Sequence, residues 1–547
     1  MQVAEAVGRA LVESGIDHVF GVVGSGNFHL TNAMVAAGAR FVATRHEGGA
    51  TTAADAYSRT SGRVAAVTVH QGCGLTNAMT GLAEAAKSRT PVVVVAAEVT
   101  QPLSNFFVDQ DALALAVGAV PIRVGSADSA IADARAAVAV ARDERRTVLL
   151  NVPLDLQAGE AWAGPSVVGA SARPVARPPE TDLATLCDAL AAAQRPVFVA
   201  GRGARGAGPD VARLAEACGA LLATSAVARG LFAGDPWSLD VSGGFAPPVV
   251  AELIADADLI VGWGCALNMW TMRHGRLIGP GAVVVQVDDD PDAIGAHRPD
   301  AVGVVGDVGA TARAMIERLT GSRQGYRTPE VEKQIVAQGR WRDVAYEDDS
   351  TQDAQGRPER IDPRTLTIAL DDLLPAERVV GVDSGNFMGY PSAFLAVPDE
   401  RGFCFTQAFQ SVGLGLATAI GAALAQPERL AVAALGDGGA LMGAAELETV
   451  VRLGLPMVVV VYDDEAYGAE VHHFGPDGHP LDTVMFPSAD FAAIGRGYGF
   501  EAVTVRGVDD LREVGRWLAG PRERPLLVDA KVTRAASWWL EEAFRGH

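Results

Sequence analysis

The strongest chemical signal in this 547-residue sequence is a pair of acidic clusters, each of which follows an apolar run. Residues 431–435 (AVAAL) lead into the turn GDGG, and residues 456–462 (PMVVVVY) lead into Asp463 and Asp464. A glycine-rich turn at a helix N-terminus offers free N–H groups to a phosphate. Carboxylates at the carboxyl ends of neighbouring strands suit Mg²⁺. Alone, GDG is an ordinary turn, but the two clusters together predict a site for Mg²⁺ and a diphosphate.

A second candidate is an isolated acid in the segment TRHEGGATTAADAYSR at 44–59. Glu47 stands at the predicted start of an apolar helix, so we expect its carboxyl group to be partly desolvated. Such an acid suits proton exchange. The alternative interpretation is a carboxylate that only interacts with the helix dipole.

These motifs resemble those of thiamine diphosphate enzymes, the group that contains acetolactate synthase, benzoylformate decarboxylase and pyruvate decarboxylase. In that family, GDG followed by a later Asn binds the diphosphate. The resemblance covers nearly the whole chain, including FGVVGSGN at 20–27, VHQGCGLTNAMTGLAEA at 69–85 and QSVGLGLATAIGAALA at 410–425. It implies thiamine diphosphate and Mg²⁺ as cofactors.

The resemblance also implies a ligand set for the metal: Asp437, Asp464 and the backbone carbonyl of Ala466. One departure stands out, because Asp463–Asp464 replaces the usual pair of asparagines. Asp464 keeps an oxygen donor but adds negative charge near the diphosphate. We therefore expect metal binding to survive with an altered affinity.

The remaining cofactor contacts are implied in the same way. Glu47 would hydrogen-bond N1′ of the aminopyrimidine and so activate the cofactor. Val412 would be the apolar residue that props the cofactor in its bent conformation. Further contacts are expected from Ser384, Asn386, Gln410, Gly436, Gly438, Gly439 and Tyr467.

Three residues bear on the fate of the substrate. Ser25 and His70 match the active-site Ser and His of benzoylformate decarboxylase, which handle the substrate carboxylate and protons. Glu470 lies six residues after Asp464, where pyruvate decarboxylase has a proton-handling glutamate. The alternatives are a strand-end His bound to the backbone and a solvent-facing helix Glu.

The segment NFFVDQD at 105–111 loosely resembles the pocket segment of acetolactate synthase instead. Phe107 and Gln110 would then line the pocket beside Glu47. His472 and His473 also fall at pocket positions, but adjacent residues of one helix cannot both face one pocket. We therefore expect at most one of the two histidines to act there.

Composition narrows the class of protein. Lys+Arg is 45 and Asp+Glu is 66, a formal charge of −21, which argues against partners such as nucleic acid or an anionic membrane. Five cysteines without a CxxC pair argue against a disulfide framework or a thiolate zinc site. The apolar runs are too short to span a bilayer, so we expect a cytoplasmic protein.

The order of elements predicts the fold class. Val-rich runs alternate with Ala-rich helical stretches from end to end, which is typical of α/β domains with parallel sheets. Polar or Pro- and Gly-rich stretches at 157–181 and 321–360 are interpreted as linkers. We therefore predict three doubly wound domains, at 1–160, 182–320 and 361–547, of which the middle one is Rossmann-like. The resemblance implies that the two flanking domains have the thiamine diphosphate-binding fold.

The predicted middle domain has a weak nucleotide signal. Its GRGARG at 201–206 is not the dinucleotide fingerprint. The domain has the sequence NMWTMRHGR at 268–276, in the region where acetolactate synthase has a different stretch that belongs to its flavin site. FAD is therefore not favoured. The C-terminal RAASWWLEEAFRGH is either a lid over the pocket or a packed terminal helix.

We therefore predict an enzyme that decarboxylates a 2-oxo acid to an enamine, which is protonated to an aldehyde or ligated to a second carbonyl compound. One alternative is an acetolactate-synthase-like carboligase acting on pyruvate. Another is a non-catalytic paralogue that only binds the cofactor. The resemblance implies a site shared between subunits, so we expect a homodimer or homotetramer.

Overall fold

A computed structural model describes residues 1–161, 176–319, 321–535 and 537–539. Three six-stranded sheets follow one another along the chain, and every strand pair in them is parallel. The α/β prediction with three sheets is confirmed.

The first sheet has the strand order β2-β1-β3-β4-β6-β5. Its strands are β1 (His18–Gly21), β2 (Arg40–Ala43), β3 (Ala65–Val69), β4 (Val92–Glu98), β5 (Val120–Arg123) and β6 (Thr147–Pro153). Its helices are α1 (Val3–Glu13), α2 (Phe28–Ala36), α3 (Glu47–Ser61), α4 (Cys73–Lys87), α5 (Gln110–Ala116), α6 (Ala130–Asp143) and α7 (Leu154–Gln157).

The second sheet has the order β12-β11-β10-β7-β8-β9, the classic doubly wound Rossmann arrangement. Its strands are β7 (Pro196–Ala200), β8 (Leu221–Thr224), β9 (Ser238–Val241), β10 (Leu259–Trp263), β11 (Val283–Asp288) and β12 (Val302–Val305). Its helices are α8 (Glu180–Ala192), α9 (Gly208–Cys218), α10 (Pro248–Ala255) and α11 (Val308–Arg318).

The stretch before the third sheet is more ordered than the sequence suggested. The interpretation of 321–360 as a plain linker is wrong, because this stretch forms α12 (Pro329–Gln338) and the antiparallel pair β13 (Thr351–Gln352) and β14 (Pro358–Arg360). Val331 and Ile335 of α12 are buried against the second unit, which explains why a largely polar segment is helical. Residues 162–175 of the other predicted linker lie outside the described residues.

The third sheet repeats the arrangement of the first, with the order β16-β15-β17-β18-β20-β19. Its strands are β15 (Arg378–Val382), β16 (Phe403–Phe405), β17 (Leu430–Gly436), β18 (Met457–Asp463), β19 (Glu501–Val505) and β20 (Leu526–Lys531). Its helices are α13 (Pro363–Leu373), α14 (Gly389–Phe394), α15 (Gly415–Ala425), α16 (Asp437–Met442), α17 (Glu446–Arg452), α18 (Gly468–Phe474), α19 (Phe491–Tyr498) and α20 (Arg512–Ala519).

The Val-rich runs are central strands, as expected. All seven residues of β4 and all seven of β18 are buried, because helices cover both faces of a parallel sheet. Among the described residues, no helix is long and apolar enough to cross a membrane.

The first and third units share one hydrophobic core through the contact between α3 and α15. Ala50 and Ala53 of α3 are fully buried in the same cluster as Ala419 and Ile420 of α15. The two helix axes come close because α15 has Gly421 at the contact, where a Cβ atom would clash with the carbonyl oxygen of Ala53. This contact holds the helix that starts with Glu47 against the third unit.

Gly421→Ala tests this contact. We expect it to lower the free energy of unfolding by about 1–3 kcal/mol, because the added methyl group meets rigid backbone. The measurement is urea unfolding followed by circular dichroism. Gly515→Ala in α20 is the matched control, since its Cβ would lie 3.9 Å from the Leu373 side chain. That change should be neutral or should stabilise by about 0.5–1 kcal/mol, and equal effects of the two changes would refute the argument.

Candidate active site

Three predicted site residues meet at the carboxyl edge of the first sheet. Ser25 lies in the connection after β1, Glu47 opens α3 after β2, and His70 directly follows β3. Because β2, β1 and β3 are neighbours, their carboxyl ends lie side by side. The topology therefore brings together residues that are up to 45 positions apart in sequence.

Glu47 is buried to 9% exposure at the first position of α3. Its Oε2 accepts a hydrogen bond from the Asn77 side chain at 3.1 Å. Its Oε1 lies 3.4 Å from the point where a Cβ on Gly74 would stand. Asn77 was missed in the sequence, although it lies within the matched segment 69–85, because nothing in its type or spacing pointed to Glu47.

His70 is held in a defined orientation. Its Nδ1 lies 2.9 Å from the carbonyl oxygen of Gln71, which can only accept a hydrogen bond. Nδ1 therefore carries the proton, and Nε2 is left to interact with the Ser25 hydroxyl at 3.4 Å. The Cβ of His70 lies 3.0 Å from the Cβ position of Gly74. His70 and Glu47 thus border the same glycine.

The segment 105–111 differs in detail from the expectation. The ring of Phe106, rather than that of Phe107, packs edge-on against His70 at 5.2 Å between centroids. Phe107 is 40% exposed. Gln110 is turned inward, where it accepts from the N–H of Gly72 at 3.3 Å and donates to Asn151 at 2.7 Å. It therefore supports the turn beside His70 instead of presenting free polar atoms to a pocket.

The second half of the site lies at the carboxyl edge of the third sheet. Asp437 follows β17, and Asp464 follows the neighbouring β18. Burial raises the pKa of Asp437 to about 6 and, together with the charge of Asp437, raises the pKa of Asp464 to about 7. The backbone N–H of Ala466 hydrogen-bonds both carboxyl groups and opposes these shifts. Two buried acids that repel each other are a suitable site for a cation.

Asp463 has a different role from its neighbour. Its Oδ2 pairs with the buried Lys531 ammonium group at 2.5 Å, and its Oδ1 accepts from the N–H of Glu465 at 3.2 Å. Lys531 also lies 3.0 Å from Asp529. The first acid of the unusual pair is therefore bound to a lysine within the sheet, although its charge still raises the pKa of both Asp437 and Asp464.

Glycines allow neighbouring side chains to pack closely against the backbone at this edge. A Cβ on Gly468 would lie 2.5 Å from the Asp464 carboxylate, and one on Gly438 would lie 2.7 Å from the Tyr467 ring. A Cβ on Gly439 would clash with the carboxylate of Asp383, a buried acid whose pKa is raised to about 6 by burial. The turn Gly436–Gly439 therefore packs directly on acidic and aromatic groups.

The other predicted cofactor contacts lie on adjacent loops of the same edge. Ser384 follows β15, and its hydroxyl donates to the carbonyl of Gln410 at 3.3 Å. Asn386 receives a short hydrogen bond from Ser537. Val412 is 38% exposed, and its side chain lies 3.3 Å from the Cβ position of Gly439.

The C-terminal segment is packed as far as it is described. Trp539 is fully buried, and its indole N–H donates to the carbonyl of Asn386 at 3.0 Å. Residues 536 and 540–547 of this segment lie outside the described residues. The described part therefore holds the turn at Asn386 through hydrogen bonds.

The helix α18 carries the last three candidates. Glu470 is half-buried in its first turn, where its N–H bonds to the Tyr467 carbonyl at 3.1 Å. His472 is half-buried, and both burial and the Arg534 cation lower its pKa. His473 is exposed, with its ring against Phe474. The two histidines face different environments, as expected for adjacent helical residues.

The residues present fit the cofactor that the sequence implies. Within the described part of the chain, no group of three or more His, Cys, Asp or Glu side chains could hold a metal ion. A cation at Asp437 and Asp464 therefore needs further oxygen ligands, such as a backbone carbonyl and a diphosphate. The exposed side chain of Val412, beside Gly439, marks the accessible surface on which such a group could lie.

A cavity of about 780 Å³ lies where the three units meet. It is lined by the loops after β7 and β10, by Arg59 of α3 and by Phe405, Gln407 and Ala408. Arg202, on the GRGARG turn, has its pKa lowered to about 9 by burial and by Arg59 and Arg205. The cavity does not change the expectation on FAD, which stays a prediction.

Each of the three units matches a family of known proteins in sequence. Residues 1–117 match the family described as thiamine pyrophosphate enzyme, N-terminal TPP binding domain. Residues 183–315 match its central domain, and residues 383–530 match its C-terminal TPP binding domain.

Individual relatives cover nearly the whole chain. The probable 2-ketoarginine decarboxylase AruI of Pseudomonas aeruginosa is 31% identical over 94% of this chain and 90% of its own. The sulfoacetaldehyde acetyltransferase of Rhodobacter capsulatus is 28% identical over 94% and 91%. A thiamine diphosphate-dependent 4-hydroxybenzoylformate decarboxylase from Rhodococcus jostii RHA1 has the same fold, with a TM-score of 0.81 at 23% identity over 97% and 99%.

The raised pKa values of Asp437 and Asp464 predict a pH-dependent stability. In the metal-free protein these acids hold protons that the unfolded chain releases near its ordinary Asp pKa of 3.8. The folded state therefore loses stability as the pH rises from about 4 through about 7. Mg²⁺ with thiamine diphosphate offsets the repulsion, so the rise in Tm that they cause should be larger at about pH 8 than at about pH 5.5.

Asp464→Asn identifies the source of that dependence. Removing one charge should raise the metal-free Tm at about pH 8 and flatten the profile between about pH 6 and pH 8. Asp188→Asn, which changes an exposed carboxylate of α8, should leave the profile as in the wild type. A wild-type profile for the Asp464 variant, measured by differential scanning fluorimetry, would contradict the assignment.

Proposed function

This chain belongs to the thiamine pyrophosphate enzyme family, as an enzyme of its decarboxylase and carboligase type, and we propose that it decarboxylates a 2-oxo acid with Mg²⁺ bound. The observation that carries this proposal is that Glu47 and His70 border Gly74 and that the Ser25 hydroxyl lies 3.4 Å from His70 Nε2. These groups can exchange protons and bind a carboxylate at one position. Relatives of similar identity have names that cite different substrates, 2-ketoarginine and sulfoacetaldehyde. The side chain of the oxo acid is therefore a question for experiment.

Thiamine diphosphate, when bound, supplies the carbon nucleophile for the substrate carbonyl and accepts the electron pair left by the loss of CO₂. The protein binds and orients the reactants and moves protons. Glu47 would hold a proton at its Oε1, because its Oε2 is already engaged by Asn77. The buried start of α3 limits the access of water to that proton.

His70 and Ser25 would act on the substrate itself. The Nε2 of His70 faces the Ser25 hydroxyl because Nδ1 is bound to a backbone carbonyl. Once Nε2 has taken up a second proton, His70 would donate to the Ser25 oxygen and leave the Ser25 O–H free to orient a carboxylate. The same proton could then be delivered after CO₂ has left. Glu470, in the first turn of α18, is a second proton carrier in the proposal.

Asp437, Asp464 and the carbonyl of Ala466 would hold Mg²⁺. Asp437 and Asp464 are buried, and burial is the main cause that raises their pKa values. The charge of Asp463 raises both pKa values further, and that of Asp437 raises the pKa of Asp464; a divalent cation would relieve this repulsion. The diphosphate would add oxygen ligands beside the turn Gly436–Gly439. An aspartate at position 464 can carry a negative charge, which an asparagine cannot. A bound cation would therefore stabilise this site more than it would stabilise a site with asparagine.

The second candidate is carboligation, as in an acetolactate-synthase-like enzyme acting on pyruvate. It is favoured by the aromatic surface near His70, since the rings of Phe106 and Phe107 are 45% and 40% exposed. Such a surface can bind a second carbonyl compound and exclude water. Product analysis separates the two candidates.

We also propose that the site is completed by self-association as a dimer or tetramer. Large apolar side chains stay exposed near both halves of the site in the single chain, including Val23, Phe28, Phe106, Leu441 and Met442. Exposed apolar surface of this kind is typical of an interface. Analytical ultracentrifugation measures the state directly.

Product analysis tests the reaction and the role of Glu47 together. We expect anaerobic incubation with thiamine diphosphate, Mg²⁺ and a panel of 2-oxo acids, including pyruvate and benzoylformate, to give free aldehyde by NMR. Glu47→Gln should lower turnover by at least about 10²-fold, because it removes a proton carrier, with an unchanged circular dichroism spectrum. Glu5→Gln, an exposed acid of α1, is the control. Consumption of none of the oxo acids would sink the proposal, and an acetohydroxy acid as the main product would favour the second candidate.

His70→Gln distinguishes a proton donor from a packing residue. We expect kcat for aldehyde formation to fall by about 10²-fold, while the affinity for thiamine diphosphate stays the same. The share of carboligation product should rise, because the proton that His70 would supply for aldehyde formation is lost. His29→Gln, on the exposed face of α2, is the matched control. An unchanged rate of aldehyde release would remove His70 from the mechanism.

A further inference from the structure

Two buried carboxylates bracket the loop that carries Gln410 and Val412. We propose that Glu84 and Asp383 are positioning residues, which clamp the two ends of residues 408–414 through backbone amides. The clamp holds Val412 against the diphosphate turn (Gly436–Gly439). Glu84 belongs to α4 of the first unit, and Asp383 follows β15 of the third. This proposal rests on the proposed function only where it concerns cofactor binding. The clamp itself consists of hydrogen bonds within this chain.

Glu84 holds the first end of the loop from another unit. Its Oε1 accepts from the N–H of Ala408 at 3.0 Å, and its Oε2 accepts from the N–H of Phe409 at 2.6 Å. The side chain is fully buried. Both oxygens are thus committed to the backbone of a loop 324 and 325 positions away in the sequence.

Arg59 stabilises the charge of Glu84 and fixes its direction. The Arg59 guanidinium donates to Glu84 Oε1 at 2.7 Å, to the Asp55 carboxylate and to the Ser88 hydroxyl. It also donates to the carbonyl of Phe405 at 2.9 Å, at the end of β16. A buried carboxylate needs such partners, and these partners join the ends of α3 and α4 to the base of the same loop.

Asp383 holds the second end. The N–H of Gly413 lies 3.1 Å from both of its oxygens, and the N–H of Leu414 donates to Oδ1 at 3.1 Å. The carboxylate also packs against Gly439 of the diphosphate turn. Asp383 therefore joins the start of α15, the loop and the turn in one place.

The backbone between the two ends needs such support. Gln410 has φ +61°, in the left-handed region that side-chain-bearing residues rarely adopt. Val412 is 38% exposed, although its side chain reaches the Gly439 position. A strained residue and an exposed valine hold one conformation only when the surrounding contacts determine it.

The type of each clamp residue matters chemically. A carboxylate offers two acceptor oxygens, so it can receive two amides and a guanidinium together. Glutamine at position 84 would keep one acceptor and place an NH₂ group against an N–H of the loop or against Arg59. Glu84→Gln therefore breaks one end of the clamp with almost no change in size. Glu84→Asp keeps the charge for Arg59 but shortens the reach to the amides.

Hydrogen exchange of the cofactor-free protein, followed by mass spectrometry, tests the clamp directly. We expect exchange in residues 408–414 to be at least about 10-fold faster in Glu84→Gln, Glu84→Asp and Asp383→Asn than in the wild type. Glu446→Gln is the matched control. Glu446 is also a buried acid that accepts backbone amides across units, but from Arg45 and His46 at the opposite end of α3 from Arg59. Its loss should therefore speed exchange at 408–414 much less than the loss of Glu84 or Asp383.

The exchange result decides the proposal in either direction. Wild-type exchange at 408–414 in the Glu84 and Asp383 variants would overturn it. An increase no larger than that in Glu446→Gln would also overturn it, because the effect would then be general loosening. If Glu84→Gln unfolds, Glu84→Asp and Asp383→Asn provide the same comparison in chains that keep more of the charge network.

Cofactor titration tests the consequence for function. Tryptophan fluorescence at saturating Mg²⁺ should show an apparent Kd for thiamine diphosphate raised at least about 10-fold in Glu84→Asp and Asp383→Asn. The KM for the oxo acid should stay near the wild-type value while kcat falls. Faster exchange with an unchanged Kd would overturn the link to the cofactor. A wild-type protein that binds no thiamine diphosphate would refute the proposed function and leave the exchange test of the clamp intact.

Discussion

The fastening of α3 to the third unit is the interaction on which the rest of the site depends. Its N-terminal end is held by Glu446, which accepts the amides of Arg45 and His46 just before Glu47. Its C-terminal end is held by Gln426, which donates to the carbonyl of Thr60 at 2.9 Å. Between these ends, the glycine at position 421 lets the backbone of α15 come close to α3. The orientation of Glu47 therefore follows from a contact between two units as well as from its own sheet.

Buried carboxylates that accept backbone amides recur at these junctions. Glu84, Asp383 and Glu446 are all buried, and each receives at least two backbone N–H groups from a loop or helix start. Burying a charge costs free energy unless it is fully hydrogen-bonded. The partners therefore have to stay in place, which ties the loops of the site to the units that carry them.

Three buried acids, Asp437, Asp463 and Asp464, lie at the carboxyl edge of the third sheet, and they differ in their partners. Asp463 pairs with Lys531 within the sheet, whereas burial is the main cause that raises the pKa values of Asp437 and Asp464. Arg534 only partly offsets the charge of Asp464. The two aspartates of the pair therefore have different surroundings, since Asp463 is bound to a lysine within the sheet and Asp464 is influenced by the charge of Asp437.

The sequence by itself determined the fold class, the two acidic clusters and the family. Strand runs such as PMVVVVY, and the glycines and acids that follow them, are local patterns whose physical meaning does not depend on distant residues. Only the tertiary structure decided that Phe106 rather than Phe107 lies against His70, that Gln110 points inward, and that Asp463 pairs with Lys531. It also decided the partners Asn77, Glu84 and Asp383, which no motif marked. These facts depend on which side of a loop or strand end faces a neighbour far away in sequence, and local spacing carries no information about that neighbour.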